Sequence, residues 1–255
     1  MERILEDKIK FNKIIGEGAE SYVYDAYNGK AYKRFLYHTM RETLKNKENK
    51  LKLINDKSLE GFVKPYELVF DIQGFRGYTM EKIDSTTTVY DVVADENKTL
   101  KEKIEILKKM ENNIKTAHNN DVLLIDLNLK NFVIDNNNIK GVDIDNFMVG
   151  GYEADCLPSA TYDYYLDVVS KNIDENMDKF AFAINSLLIL ADQSVTIWDI
   201  YRKKYEKVNE LLESLDIPNN FKNYYYELLK SNNDKVFLSE VIDEISSEDA
   251  FIKKK

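Results

Sequence analysis

Apolar and polar positions alternate from residue 9 to residue 36 in the manner of half-buried strands. Phe11, Ile14 and Ile15 lead into Gly16-Glu17-Gly18-Ala19-Glu20-Ser21, and Tyr22-Val23-Tyr24 resumes the alternation. Asn28-Gly29 is a strong two-residue hairpin signal, since both residues tolerate positive φ. Lys30-Ala31-Tyr32-Lys33-Arg34-Phe35 then returns as a third strand. Over residues 39–55 the pattern changes to a polar helix with apolar points at Leu44, Leu51 and Ile54. Residues 62–70 and 77–83 read as two more strands, joined by a turn that contains Gly74.

After the polar connection Asp84-Ser85-Thr86-Thr87-Thr88, Thr99 and Glu102 form a capping box for a long helix. Leu100, Ile104, Leu107, Met110, Ile114 and Ala117 recur along it at helical spacing, and His118-Asn119-Asn120-Asp121 ends it. Short apolar runs follow, around Ile125–Ile134 and Gly141–Asp145. Asp178 opens another helix, because an Asp there accepts orphan backbone amides. The remainder reads as helices: an amphipathic one over 195–215, one starting at Pro218, and a short one over 241–245 capped by Ser239. The pattern predicts an α+β protein, with five strands and one helix after the third, and then a mainly helical remainder.

A chain of 255 residues fits one two-lobed domain or two small ones. The net charge of −9, with acids and bases interspersed, argues against a nucleic-acid or anionic-membrane surface. Cys156 is the only cysteine, which rules out an internal disulfide and points to a reducing compartment, hence a cytoplasmic protein. Met1 to Lys8 lacks the apolar core of a signal peptide. The apolar stretch Ala181 to Ala191 is interrupted by Asn185-Ser186 and is too short to span a bilayer. It reads as a buried core helix.

Candidate chemistry lies in the short apolar runs. Asp126, Asn131 and Asp143 sit between strand-like segments, where a charge must be paired or hold a metal. One Asp able to take a proton, with an Asn and an Asp able to reach Mg²⁺, suits phosphoryl transfer. An EF-hand loop starting at Asp143 is rejected, because Phe147 and Met148 stand where that loop needs an oxygen ligand and a glycine. The glycines of residues 16–18 let a backbone approach phosphates closely, although a lone Gly-x-Gly is a weak signal that by itself reads rather as a surface turn. Tyr162, Tyr164 and Tyr165 are candidate phosphosites or plain packing residues, and His118 reads as a structural residue at a helix end.

Taken in order, these segments resemble the protein-kinase-like superfamily. Gly16, Gly18 and Val23 match its Gly-x-Gly-x-x-Gly-x-Val loop, with Ser21 at the third glycine. The resemblance implies a bilobal fold: an N-lobe with hinge over residues 1–83, having an antiparallel sheet and one helix, and a mainly helical C-lobe over 84–255. It implies that Lys33 binds phosphate and that Glu48, with Glu42 as competitor, pairs with Lys33 and orients it. Met80 would be the gatekeeper, and the Glu81 carbonyl and Ile83 amide would bond the adenine edge. Asp126 would handle the proton of the attacking hydroxyl, Asn131 and Asp143 would hold Mg²⁺ on ATP, and Asp178 would tie its helix to the catalytic-loop backbone.

Four positions depart from the family pattern. Leu124 replaces a scaffolding His, and Asn128 stands where a Lys usually steadies the transferred group, with Lys130 nearby as a substitute. Asp145 replaces the Gly of Asp-Phe-Gly and is available to the metal shell, and no Ala-Pro-Glu-like motif precedes Asp178. The implied activity is ATP- and Mg²⁺-dependent phosphotransfer to a hydroxyl, foremost Ser or Thr of a protein. The rivals are a small-molecule kinase resembling aminoglycoside or choline kinases, and a nucleotide-binding pseudokinase scaffold.

Overall fold

The alternation of the first third of the chain closes into one six-stranded sheet. The computed structural model describes residues 1–154, 162, 165–170, 172–191, 205–230, 235–243, 245 and 251. Cys156, Pro158, Tyr164 and the first part of the helix expected over 195–215 lie outside the described residues. The strands are β1 (Glu2–Leu5), β2 (Phe11–Glu17), β3 (Ser21–Ala26), β4 (Lys30–Phe35), β5 (Pro65–Asp71) and β6 (Gly74–Glu81), in the order β1-β5-β6-β4-β3-β2. Every neighbouring pair is antiparallel except β1 with β5.

Five strands and the helix after the third stand where the pattern puts them; β1 is an addition that it did not announce. The segment is short and largely exposed, so it shows no clean alternation. Its effect is to cover the outer face of the sheet. Ile4 and Ile9 pack on Ala26, Tyr32 and Val69 there, and Glu6 accepts hydrogen bonds from the Tyr32 hydroxyl (2.7 Å) and from Arg34 Nε (2.6 Å).

Cross-strand partners share a face of a pleated sheet. One such row crosses all six strands: Arg3, Leu68, Tyr78, Lys33, Val23 and Gly16. Helix α1 (Arg41–Asn55) lies after β4 and sends Leu51 and Ile54 into the main core. Lys47 and Lys50 on this helix are fully buried as well.

Helix α2 (Val89–Ala94), also not foreseen, starts from a capping box in which Thr88 Oγ1 accepts from the Asp91 amide and Asp91 accepts from the Thr88 amide. The expected box of Thr99 and Glu102 opens α3 (Leu100–His118). Four short strands follow, β7 (Val122–Leu123), β8 (Phe132–Asp135), β9 (Asn138–Gly141) and β10 (Met148–Val149), pairing as β7 with β10 and β8 with β9. Then come α4 (Glu175–Ala191), α5 (Tyr205–Ser214), α6 (Asn219–Leu228) and α7 (Ser239–Ile242). Pro218 precedes α6 as expected; Ser239 is the first residue of α7 rather than its cap, a position that Leu238 takes.

The Ala181–Ala191 stretch is core: Phe182, Ile184 and Leu187 are all buried. Among the described residues no helix is long and apolar enough to cross a membrane. The described chain is thus an α+β fold with an antiparallel-rich N-terminal sheet and helices after it.

Phe62 fastens the sheet region to the segment that carries the site. Its ring packs edge-on against Phe132 (6.1 Å) and Phe147 (5.4 Å), the Val63 amide donates to the Gly141 carbonyl (2.9 Å), and the Gly141 amide donates to Gly61 (2.7 Å). Gly141 must lack a side chain, since a Cβ there would run into the Phe62 ring.

Candidate functional site

The loop that carries Asp126 is hung on one buried carboxylate. Asp178, in the first turns of α4, accepts from the amides of Leu124 (2.8 Å) and Ile125 (3.1 Å) and from the Tyr162 hydroxyl (2.7 Å). His118 Nε2, at the end of α3, lies 3.0 Å from Oδ2, the oxygen that also takes the Leu124 amide. Tyr162 in turn accepts from the Leu127 amide (3.0 Å), and Asn185 of α4 donates to the Leu127 carbonyl (3.0 Å). Asp178 does not open α4, which starts at Glu175, and the amides it accepts belong to the Asp126 loop and not to its own helix; its expected tie to that loop and the structural role of His118 hold. The hydroxyl of Tyr162 is committed to this network and fully buried, so Tyr162 is a packing residue and not a phosphosite.

That anchoring sustains strain. Ile125 has φ +61°, the left-handed region that a β-branched side chain disfavours. Asp143 is left-handed too, at φ +64°. Residues on either side of the site are thus held where free peptide would not stay.

Asp126, Asn131 and Asp143 line one small cleft, with Asn146 and Phe147 among its other walls. Asn131 Nδ2 donates to the Asp126 carbonyl (3.1 Å), which leaves Oδ1 for another partner. The Val142 amide donates to the Asn131 carbonyl (2.8 Å), joining the two loops directly before Asp143. Burial, and then the charge of Asp143, push the Asp126 carboxyl above its ordinary value.

Lys33 reaches Asp143, one wall of this cleft, from the sheet. Its ammonium donates to Asp143 and, at 2.6 Å, to Oδ1 of Asp145. Asp145 is fully buried, and it also accepts from the Tyr78 hydroxyl (2.9 Å) on Oδ1 and from Lys47 (2.9 Å) on Oδ2. Lys47 continues to Asn146 Oδ1 (2.8 Å) and to Glu20 in the glycine-rich turn (3.3 Å). Burial alone would raise Asp145, but Lys33 and then Lys47 outweigh it and hold the carboxyl far below the usual carboxylate range. Burial would lower Lys33, and Asp145 and Asp143 reverse that and raise it.

Two expectations fail here. Glu48 does not meet Lys33: it pairs with Lys52 (2.6 Å) and Arg3 (3.5 Å) on another side of α1. Glu42, the competitor, is exposed in the first turn. Asp145 is not available to a metal, because lysines and a tyrosine engage both of its oxygens and a cation there would face two ammonium groups.

The remaining candidates are placed as follows. Met80 sits on the same face of β6 as Tyr78 and opposite Ala31, beside the Lys33 row. Glu81 accepts from Lys140 (3.1 Å), and half-buried Ile83 follows the end of β6. Val23 is the register partner of both Lys33 and Gly16. Neither Gly16 nor Gly18 has positive φ, and an added Cβ would meet nothing closer than 3.4 Å. Packing does not demand glycine at either position. Lys130 lies over the Tyr90 ring (4.7 Å), and the Asn128 side chain accepts from the Lys130 amide (3.0 Å).

The chain reading missed Lys47 and Tyr78. The available signal was spacing: Leu44, Lys47, Leu51 and Ile54 form a three-four-three stripe, so Lys47 lies on the apolar face of α1. Among the described residues no group of three or more His, Cys, Asp and Glu could hold a metal. Asp143 and Asn131 instead offer two oxygen donors, a partial set that suits a Mg²⁺ ion completed by phosphates and water. No protein-family model matches the chain, and no curated protein sequence matches it.

Proposed function

We propose that this chain binds Mg·ATP between the sheet and the Asp126 loop and transfers the γ-phosphoryl group to a hydroxyl, foremost Ser or Thr of a protein. The observation that carries the reading is that Asp126, Asn131 and Asp143 from two later loops line one cleft and that Lys33 from β4 bonds to Asp143 at its wall. These residues are far apart in the chain, and an arbitrary fold has no reason to gather them.

Each group has work that its surroundings allow. Lys33 is cationic, and its Asp143 partner is the half-exposed one, so Lys33 can exchange that carboxylate for a phosphate. Asp143 and Asn131 would hold the cation, which when bound neutralises phosphate charge as the phosphoryl group moves. Asp126 receives the proton of the attacking hydroxyl, and its raised affinity for protons favours that step. Gly16 and Gly18 leave backbone open for close approach to phosphates. Backbone at Glu81 and Ile83, after Met80, would read the adenine edge.

A second reading, a nucleotide-binding scaffold without turnover, draws on one observation: Asn128 stands in the catalytic loop, and its neighbour Lys130 lies over the Tyr90 ring. The test is a melting-temperature rise with ATP, with and without Mg²⁺, followed by transfer from labelled ATP to protein and small-molecule acceptors. Binding with transfer supports the enzyme, and an Asp126→Ala variant should then lose transfer and keep binding. Binding without transfer to any acceptor selects the scaffold. Absence of any rise with ATP, with or without Mg²⁺, refutes both.

A further inference from the structure

The charge that fixes Lys33 comes from the loop after Asp143, and the helix beside it contributes a cation instead of an anion. We propose that Asp145 is a positioning residue: it anchors the Lys33 ammonium at the phosphate end of the site, and Lys47 of α1 is the counter-cation that locks Asp145 in place. The proposal rests on the Mg·ATP reading for its catalytic meaning.

Lys33 has two carboxylate partners of different character. The Asp143 side chain is 41% exposed and that of Asp145 is 1% exposed. Asp143 is the partner free to turn to a cation. When it does, Asp145 alone remains to hold Lys33. Its own orientation is determined from three sides, by Lys33 and Tyr78 on Oδ1 and by Lys47 on Oδ2. Lys47 is itself tied to Asn146 and to Glu20, so it joins α1 to the glycine-rich turn and to the loop of Asp143 at once. Glu48, one position on, faces Arg3 and Lys52 and has no part in this arrangement. Removing the Asp145 charge leaves two buried ammonium groups facing each other, a state that low-dielectric surroundings penalise heavily.

The test is a suppressor pair with a nucleotide-free control. In Asp145→Gly, the Mg·ATP concentration giving half the maximal melting-temperature rise should climb roughly tenfold, as for loss of one charged contact. Adding Lys47→Glu returns a carboxylate to Lys33 from the helix side and should recover most of that loss, which a merely structural residue would not do. Without nucleotide, Asp145→Asn should melt below the Asp145→Asn/Lys47→Gln double variant, because the second change removes one of the opposed cations. An Asp145→Gly protein that binds Mg·ATP like the parent overturns the proposal. So does a Lys47→Glu/Asp145→Gly variant that binds no better than Asp145→Gly, or an Asp145→Asn variant that melts at or above the double. A parent with no response to Mg·ATP refutes the nucleotide reading alone; the melting order of the Asn and Gln variants then decides the anchor, as it does if Asp145→Gly fails to fold.

Discussion

Truncating Asp178 to Ala should damage the fold and the site through one mechanism. The carboxylate accepts from Leu124 N, Ile125 N and Tyr162 Oη, and His118 Nε2 lies against it; Asp178 and His118 are both buried. A buried donor left without a partner costs about 1–3 kcal/mol. With the two amides and the hydroxyl stranded, the loss starts at roughly 3–9 kcal/mol by that rule. Two effects reduce it. Water enters the space left by the carboxyl, and Ile125, no longer clamped at φ +61°, sheds strain of about 1–3 kcal/mol. The expected net destabilisation is roughly 4 kcal/mol, or about 8–16 °C in melting temperature for a chain of this size.

Urea unfolding of parent and variant gives the free energy, provided the slopes agree. Hydrogen exchange at the Leu124 and Ile125 amides reports the local event: both should be among the slow amides in the parent and should accelerate in the variant far more than the amides of β3 and β4. A loss below about 1 kcal/mol, or unchanged exchange at these two amides, would refute the claim that Asp178 holds the loop. Because Asp126 follows Ile125 directly, the same variant should lose any phosphotransfer out of proportion to its fraction unfolded.

Three further outcomes follow from the geometry. Asp126 titrates above its ordinary value in the folded chain, so its protonated form favours folding; that contribution is complete below the unfolded value near 3.8 and is lost as pH rises through the raised folded value. Asp126→Asn should therefore abolish transfer yet raise the melting temperature at pH 7, with a difference that shrinks under acid conditions; a lower melting temperature at pH 7 would contradict the assigned burial and Asp143 effects. Glu48→Ala should leave Mg·ATP binding unchanged and cost at most about 1 kcal/mol, the scale of partly exposed ion pairs, and a large loss of nucleotide affinity in a titration would restore Glu48 as the Lys33 partner. Gly77→Ala should weaken nucleotide binding from outside the cleft, because a Cβ there runs into the Lys33 carbonyl and must displace β4; an alanine variant with parental melting and affinity would count against the close approach of β4 and β6.

Much of this was legible before the fold was known, and the unread part has a physical pattern. Strands β2 to β6 announce themselves through their runs of apolar and aromatic residues and the Asn28-Gly29 turn, although burial does not follow a simple alternation: β2 has no buried residue, and consecutive residues of β4 and β6 are buried. Helix α3 announces itself through Thr99, Glu102 and a regular apolar stripe. Strand β1 gave no such sign: Glu2, Arg3 and Leu5 are exposed, and its contribution comes from Ile4, Glu6 and Ile9 covering the back of the sheet. The short helix α2 has too few turns for a period to show, and only its Thr88 cap betrays it. Asp126, Asn131, Asp143 and Asp178 were readable because carboxylates and amides between apolar runs need a buried partner. Which partner each takes is a matter of three dimensions, and Tyr162 and Tyr78 entered the networks from segments with no sequence link to them.

The exchange at Lys47 and Asp145 shows where reading elements singly breaks down. Glu48 and Lys47 are adjacent in sequence and about 100° apart around α1, so either fits between Leu44 and Leu51 on an apolar stripe. A helix carboxylate beside a strand lysine looks sufficient, and from α1 alone Glu48 is the better choice. The decision lies in residue 145, on the opposite wall. Once a buried carboxylate stands there against Lys33, a second carboxylate from α1 would put two anions on one ammonium while Asp143 stands ready as a third. A cation from α1 instead leaves the buried Asp145 between two ammonium groups, Lys33 and Lys47, with the half-exposed Asp143 as the second anion on Lys33 and Glu20 beside Lys47. Such a pocket is stable when its opposite charges are paired and hydrogen bonds fill it, and Asp145 in the loop after Asp143 and Lys47 on the helix stripe meet that requirement together.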